Sequence, residues 1–230
     1  MKIQPRCLLF ALALFTSWVP AQGQLSVNLS IKRPNYIRHE PILATVAITN
    51  LSGRDLLLRD AESPWFGFHI SPSGQEGMLV PPRNREYRLD PLEIKMGQTV
   101  KHTSNLNSLY EISEYGRYRV RAAIYVADMS KYFLSPAKVL EITEGRTLWQ
   151  VTVGVPEALT NGGSQHTLSV LEHHIDKHRY LYARVQDRDS GAVFCTYQLG
   201  HLLDGHKPEM QLDTANNLYI LHLVGMKTYL

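Results

Sequence analysis

Cysteine is almost missing from this chain: Cys7 and Cys195 are the two among 230 residues. Cys7 precedes an apolar segment near the N-terminus, so once that leader leaves, a single thiol remains and no internal disulfide can form. Stability then has to come from packing. An excess of charge of one sign is missing too. Lys and Arg number 24 against 21 Asp and Glu, a formal +3, or +1 once Lys2 and Arg6 leave with the leader. So small a balance is no footprint of nucleic-acid binding, which calls for a clustered basic face. Long apolar runs are lacking as well. The longest, Leu8–Phe15, is far short of the roughly 20 residues that cross a bilayer. With 44% hydrophobic and 20% charged residues, a disordered chain, a collagen-like repeat and a multi-span membrane protein are excluded.

The usual signatures of catalysis are absent. His39-Glu40 runs into Pro41 instead of completing H-E-x-x-H, no G-x-S-x-G occurs, and Asn161-Gly162-Gly163 has neither the lysine nor the strand–helix setting of a phosphate loop. Ser135-Pro136-Ala137-Lys138 leads into a strand, without the helix that a serine–lysine pair needs.

What is present begins with a leader. Lys2 and Arg6 precede the apolar Leu8–Phe15, and Ala21-Gln22-Gly23 places small residues at −3 and −1 of a cleavage before Gln24. Residues 1–23 are expected to be a secretory signal peptide, which makes the mature protein secreted or periplasmic. The sequons Asn28-Leu29-Ser30 and Asn50-Leu51-Ser52 matter only in a eukaryotic secretory pathway and are read as accidental.

From Gln24 the dominant period is two. Leu25, Val27, Leu29 and Ile31 alternate with polar neighbours, as do Ile42, Ala44, Val46 and Ile48, then Phe66, Phe68 and Ile70. That is the pattern of half-buried strands. Further short strands are expected at Asp55–Arg59, Glu86–Leu89, Glu93-Ile94 and Thr99–His102, and Ser71–Arg88 reads as a long irregular connection. A brief helical turn at Leu106–Tyr110 leads to Glu114-Tyr115-Gly116-Arg117-Tyr118 and a strand with Tyr118, Val120, Ala122 and Ile124 on one face. Val139–Thr143 follows as a closing strand.

The D/E-x-G-x-Y run at Glu114, Gly116 and Tyr118 resembles the tyrosine corner of immunoglobulin-like sandwiches. There the tyrosine hydroxyl ties back to upstream backbone, and in disulfide-bearing members a cysteine follows two residues later. Val120 holds that position here, as suits a chain without a bridge. The resemblance covers residues 24–143 and implies an all-β, immunoglobulin-like sandwich. It implies no activity, because that fold carries many.

Residues 144–165 read as a connecting strand, Leu148–Val155, and a flexible linker. Eleven of twelve prolines precede residue 157, a shift that suggests a domain boundary. Residues 166–230 read as a blade-like antiparallel β unit, either a truncated fragment or a small sheet packed on the sandwich: a hairpin of Arg179–Gln186 with Ala192–Leu199, then Glu209–Asp213 with Leu218–Val224. The rhythm QLDTANNLYILHLVG resembles β-propeller blades, but 65 residues cannot close a propeller of four or more blades. His166–Lys177 fits either a strand or one face of a helix.

Seven of ten histidines follow residue 165, yet none shows the spacing of a zinc site. Asp187-Arg188-Asp189-Ser190-Gly191 starts like a calcium loop and lacks the remaining acidic ligands. Cys195, alternating with Val193 and Tyr197, reads as a small core residue. Tyr180, Tyr182, Tyr197 and Tyr219 are candidates for an aromatic platform. No metal, cofactor or catalytic residue is assigned. The sequence is read as a non-enzymatic, exported binding or structural module of the cell envelope whose partner is a protein or glycan. The expected contact loop is Ser71–Arg88, with Pro81, Pro82, Arg83 and Arg85 at its centre. The alternatives are a fragment of a secreted propeller-type hydrolase and a protease-inhibitor-like sandwich. Homodimerisation through the edge strand Lys227–Leu230 is a further expectation.

Overall fold

A computed structural model of the protein describes residues 24–75, 77–154, 165–225 and 228–230. The expected leader (1–23), the linker glycines 162 and 163, and Lys227 lie outside the described residues. The architecture is all-β with several antiparallel sheets.

The alternating segments near the N-terminus become β1 (Leu25–Ile31), β3 (Leu43–Asn50) and β7 (Thr99–Asn105), which form a three-stranded sheet in the order β1-β3-β7. Register aligns Val27 with Ile48 and Leu29 with Val46, so the apolar side chains of β1 and β3 share one face. A second sheet has the order β2-β10-β8-β5, built from β2 (Asn35–Ile37), β5 (Phe66–Pro72), β8 (Gly116–Val126) and β10 (Lys138–Thr143). Here β2 runs parallel to β10, and β9 (Lys131–Leu134) pairs with the end of β8. The inward residues of the two sheets make one core, in which Leu29, Val46, Ile70, Val120 and Ile124 are fully buried. Area removed from water at roughly 25 cal/mol per Å² is what holds two such sheets together without a disulfide. A two-stranded pair, β4 (Leu56–Leu58) with β6 (Leu92–Ile94), adds Leu56, Leu58 and Ile94 to the same core. The expected helical turn is α1 (Leu106–Leu109), capped by the Asn105 side chain.

Two local expectations change. No strand forms at Glu86–Leu89, because Asn84 accepts from the Glu86 N–H at 2.8 Å and the Arg88 guanidinium donates to the carbonyls of Arg85 and Tyr87. These bonds curl the backbone into turns. Asn50, the second sequon, is fully buried and donates to the Arg54 and Ile94 carbonyls, so its amide is committed inside the fold.

The segment expected to be a connection is β11 (Arg146–Gly154), the edge strand of a four-stranded meander with β12 (Gln165–Ile175), β13 (His178–Asp187) and β14 (Val193–Leu202). His166–Ile175 is thus strand. Its alternation is masked because both faces are covered: Leu171 packs with Ile37 and Tyr182, while Val170 packs with Leu181 and Leu202 above a hairpin of β15 (Glu209–Leu212) and β16 (Leu218–Leu221). Cys195 is half-buried on β14, more open than a core position. The last pair is β17 (Leu223–Gly225) with β18 (Thr228–Tyr229), and Leu230 exchanges both backbone hydrogen bonds with His222. The described part of the expected dimer edge is therefore paired within the chain on one side.

Gly145 sits where the first two sheets meet the meander. A Cβ there would come within 3.3 Å of the Leu171 Cβ, a tight contact, and 3.7 Å of Ile37, an ordinary one, so a larger residue at this junction needs Leu171 to give by a few tenths of an ångström.

Candidate binding cleft

The irregular stretch after β5 is strapped onto the molecule at several points. The Val80 N–H donates to the Ile70 carbonyl, and the Arg83 N–H to that of Leu109. The Trp65 indole donates to Leu89 O at 3.2 Å, and Arg88 pairs with Asp60 at 3.0 Å. Between this strapped segment and the sheet lies a cleft of about 210 Å³. Gly67 and Ala123, opposite one another in register, contribute the smallest side chains of its lining. Tyr87, Tyr110, Tyr132 and His69 line it with aromatic rings, and Arg85 and Arg88 with guanidinium groups.

The four expected contact residues divide. Pro82 lines the cleft and forms an isolated bridge with Tyr110. Pro81 lies in a neighbouring hollow beside Met78 and Tyr118, its carbonyl accepting from Glu111 N–H. Arg83 is committed to structure: its Nε donates to the carbonyls of Asn107 and Tyr110. Arg85 lines the cleft with no side-chain partner among the described residues. Two arginines apart by one residue thus have opposite fates.

The corner residues lie outside this cleft. The Tyr118 hydroxyl donates to the Glu114 carbonyl at 2.9 Å, and burial of the ring, with Glu114 nearby, raises its pKa. Gly116 adopts φ 129°, a conformation open to glycine and strained for other residues.

The cleft's ionisable groups are tuned by their surroundings. Burial and then Arg121 lower the His69 pKa, keeping the ring neutral at ordinary pH. Burial raises Tyr110, whose oxygen accepts the Phe68 N–H at 2.8 Å. That bond, with the one from Val80 to Ile70, occupies two backbone groups on the outer edge of β5.

Sequence reasoning missed a basic row. Because Tyr118, Val120 and Ala122 face the core, Arg117, Arg119 and Arg121 between them face outward on β8. The R-x-R-x-R alternation was the available signal. Arg117 pairs with Glu141 at 3.3 Å, whereas Arg121 pairs with no carboxylate among the described residues. Arg119 and Arg121 line a hollow that shares His69 with the first cleft.

A second set of charges is structural. Arg33 donates to Glu40 and to the Tyr182 hydroxyl at 3.1 Å, which joins the first sheets to the meander. Arg184 reaches the Arg38 carbonyl at 2.9 Å across the same junction. Tyr182 is therefore fully buried, its pKa pushed up to about 12 by burial and Glu40. Tyr180 is half-buried while Tyr197 and Tyr219 are exposed, so the four tyrosines make no common platform. Buried Glu172 accepts from Arg179 at 2.7 Å and from Arg146; these bonds hold its pKa near about 2. The basic hollow at Arg146 and Arg179 thus spends both guanidiniums internally. Asp187 is likewise occupied, accepting from Ser190 N–H and hydroxyl at 2.7 Å each.

No family model matches the chain, and no curated protein does. Among solved structures, a sporulation control protein, Spo0M, from Bacillus subtilis is similar over 88% of this chain and 91% of its own, at 10% identity and a TM-score of 0.37. Likeness that low transfers neither a fold nor a role.

Proposed function

We propose that the protein is an exported, non-enzymatic binding module of the cell envelope, and that its ligand site is the cleft beside β5. On this reading residues 24–143 form an immunoglobulin-like sandwich. The order β1-β3-β7 opposite β2-β10-β8-β5, the parallel pairing of β2 with β10 and the Tyr118 tie to Glu114 support it. The leader at residues 1–23 supports export.

One observation carries the site. Arg85, alone among the three arginines of its segment, has no side-chain partner among the described residues, and it stands in a tyrosine-lined cleft over Gly67 and Ala123. A guanidinium with free donors recognises a carboxylate in a fork geometry, and flat aromatic rings pack against a ring-shaped ligand. A cleft of about 210 Å³ is smaller than the roughly 300–1,000 Å³ that encloses a drug-sized molecule. It therefore takes one ring-sized group bearing a negative charge.

The test is titration of the protein with galacturonate, followed by amide NMR, with glucose as the neutral control. Galacturonate should shift resonances of Gly67, Ala123 and Tyr132, and glucose should shift them far less. Gly67→Val fills the floor, where a Cβ meets only the Tyr110 hydroxyl at an ordinary 3.5 Å; it should abolish the shifts with folding intact. Equal response to glucose, or no response by wild type, overturns the assignment.

A further inference from the structure

The cleft does not end at His69. That side chain also lines the adjoining hollow with Arg119, Arg121, Ser71 and Leu134. In the β5–β8 register Gly67 faces Ala123, His69 faces Arg121, and Ser71 faces Arg119. Residues two apart on a strand lie about 6.8 Å apart, so the path from Gly67 to Ser71 runs about 13 Å along the sheet face. It starts at tyrosines and Arg85 and ends at arginines. One ring-sized group fills only its first part.

Resting on the cleft reading above, we infer that the ligand is a linear acidic polysaccharide: one sugar ring sits over Gly67 and Ala123 beside Arg85, and a later carboxylate reaches Arg121. The row supplies cations at spaced positions with a polar hydroxyl, Ser71, and a neutral imidazole between them. That sequence suits a polymer bearing rings, hydroxyls and periodic carboxylates.

An acidic peptide fits less well. The cheapest way for an extended peptide to bind a sheet is to add a strand at a free edge. The outer edge of β5 is blocked for that purpose, with Phe68 N–H bonded to the Tyr110 hydroxyl and the Ile70 carbonyl to Val80 N–H. The track on the sheet's outer face offers side chains, not backbone groups. Arg117 is also partly neutralised by Glu141, which thins the basic row below what a phosphate backbone exploits.

The experiment compares galacturonate with its trimer and hexamer by isothermal titration calorimetry, on wild type, Gly67→Val and Arg121→Gln, each checked for an unchanged thermal midpoint. Two linked contacts raise avidity without any new chemistry, so the hexamer should bind about tenfold or more tighter than the monomer. Arg121→Gln should remove most of that gain and lower the dependence of log Kd on log salt by about one. Gly67→Val should weaken monomer and hexamer alike. Monomer binding that gains nothing with length overturns the polysaccharide inference and leaves the cleft reading standing. Failure of every uronate overturns both. A hexaglutamate or a hexanucleotide that binds as tightly as the uronate hexamer overturns the assignment to a glycan.

Discussion

Tyr118 illustrates how one polar atom inside an apolar face can hold a turn. Its ring is buried in the core while its hydroxyl donates to the Glu114 carbonyl four residues upstream. The intervening Gly116, at φ 129°, lets the chain turn tightly enough for that bond. Tyr118→Phe keeps the packing and leaves that carbonyl without this donor. The expected cost is about 1 kcal/mol, seen in chemical denaturation as a lower midpoint with an unchanged slope. A loss near zero means that water replaces the hydroxyl and that the tie contributes nothing. This residue was readable from sequence because its partners are local. The split between Arg83 and Arg85 was not, since it depends on the carbonyls of Asn107 in α1 and Tyr110 just after it, more than twenty positions away. Arg33 and Glu40 were hidden for the same reason: their third partner, Tyr182, is 149 residues from Arg33.

At the scale of elements, alternation was a faithful guide wherever one face meets the core and the other meets solvent. It gave β1, β3, β5 and β8. It became ambiguous at β12, where Val170 and Leu171 are both buried because each side of the strand has cover. It failed at Glu86–Leu89, where side chains claim the backbone's hydrogen bonds before a neighbouring strand can. The cleft inherits its shape from this strapped segment. Arg83 is its central fastening, with Nε contacts at 2.9 and 3.2 Å to the carbonyls of Asn107 and Tyr110. Arg83→Met keeps the aliphatic stem and removes both bonds. Amide exchange of the turn at Tyr87 should quicken about tenfold, while the global unfolding free energy changes by less than about 1 kcal/mol. Unaltered exchange there shows that Trp65 and Asp60 suffice to hold the segment.

The molecule as a whole is joined by charges at the seam between the first two sheets and the meander, and the seam makes acid its weak condition. His39 has φ 66° and lies half-buried; burial and then Arg38, Arg184 and Arg83 lower its pKa to about 4. Its ordinary value is 6.5, so between pH 6.5 and 4 the unfolded chain binds a proton that the folded chain refuses. Stability is then full above 6.5 and falls as the pH drops toward 4. Glu172 acts over the next interval. Its hydrogen bonds from Arg179 and Arg146 hold the pKa near 2 against an ordinary 4.5, so its contribution is present above 4.5 and is lost as the pH falls toward 2. The two windows adjoin, which predicts a continuous decline from near-neutral pH downward in place of a single sharp acid transition. His39→Asn isolates the upper window, because asparagine tolerates positive φ and carries no titrating ring. Solvent screens a half-buried site, so the slope removed between pH 6.5 and 4 should amount to about 1–2 kcal/mol. Urea midpoints of wild type and variant, measured across pH 7 to 3, should separate between pH 6.5 and 4, the wild type falling further, and keep a constant gap below pH 4 if the His39 proton is responsible for the upper decline. Parallel curves over the whole range assign that decline instead to other histidines with lowered pKa, such as buried His173 beside Arg33.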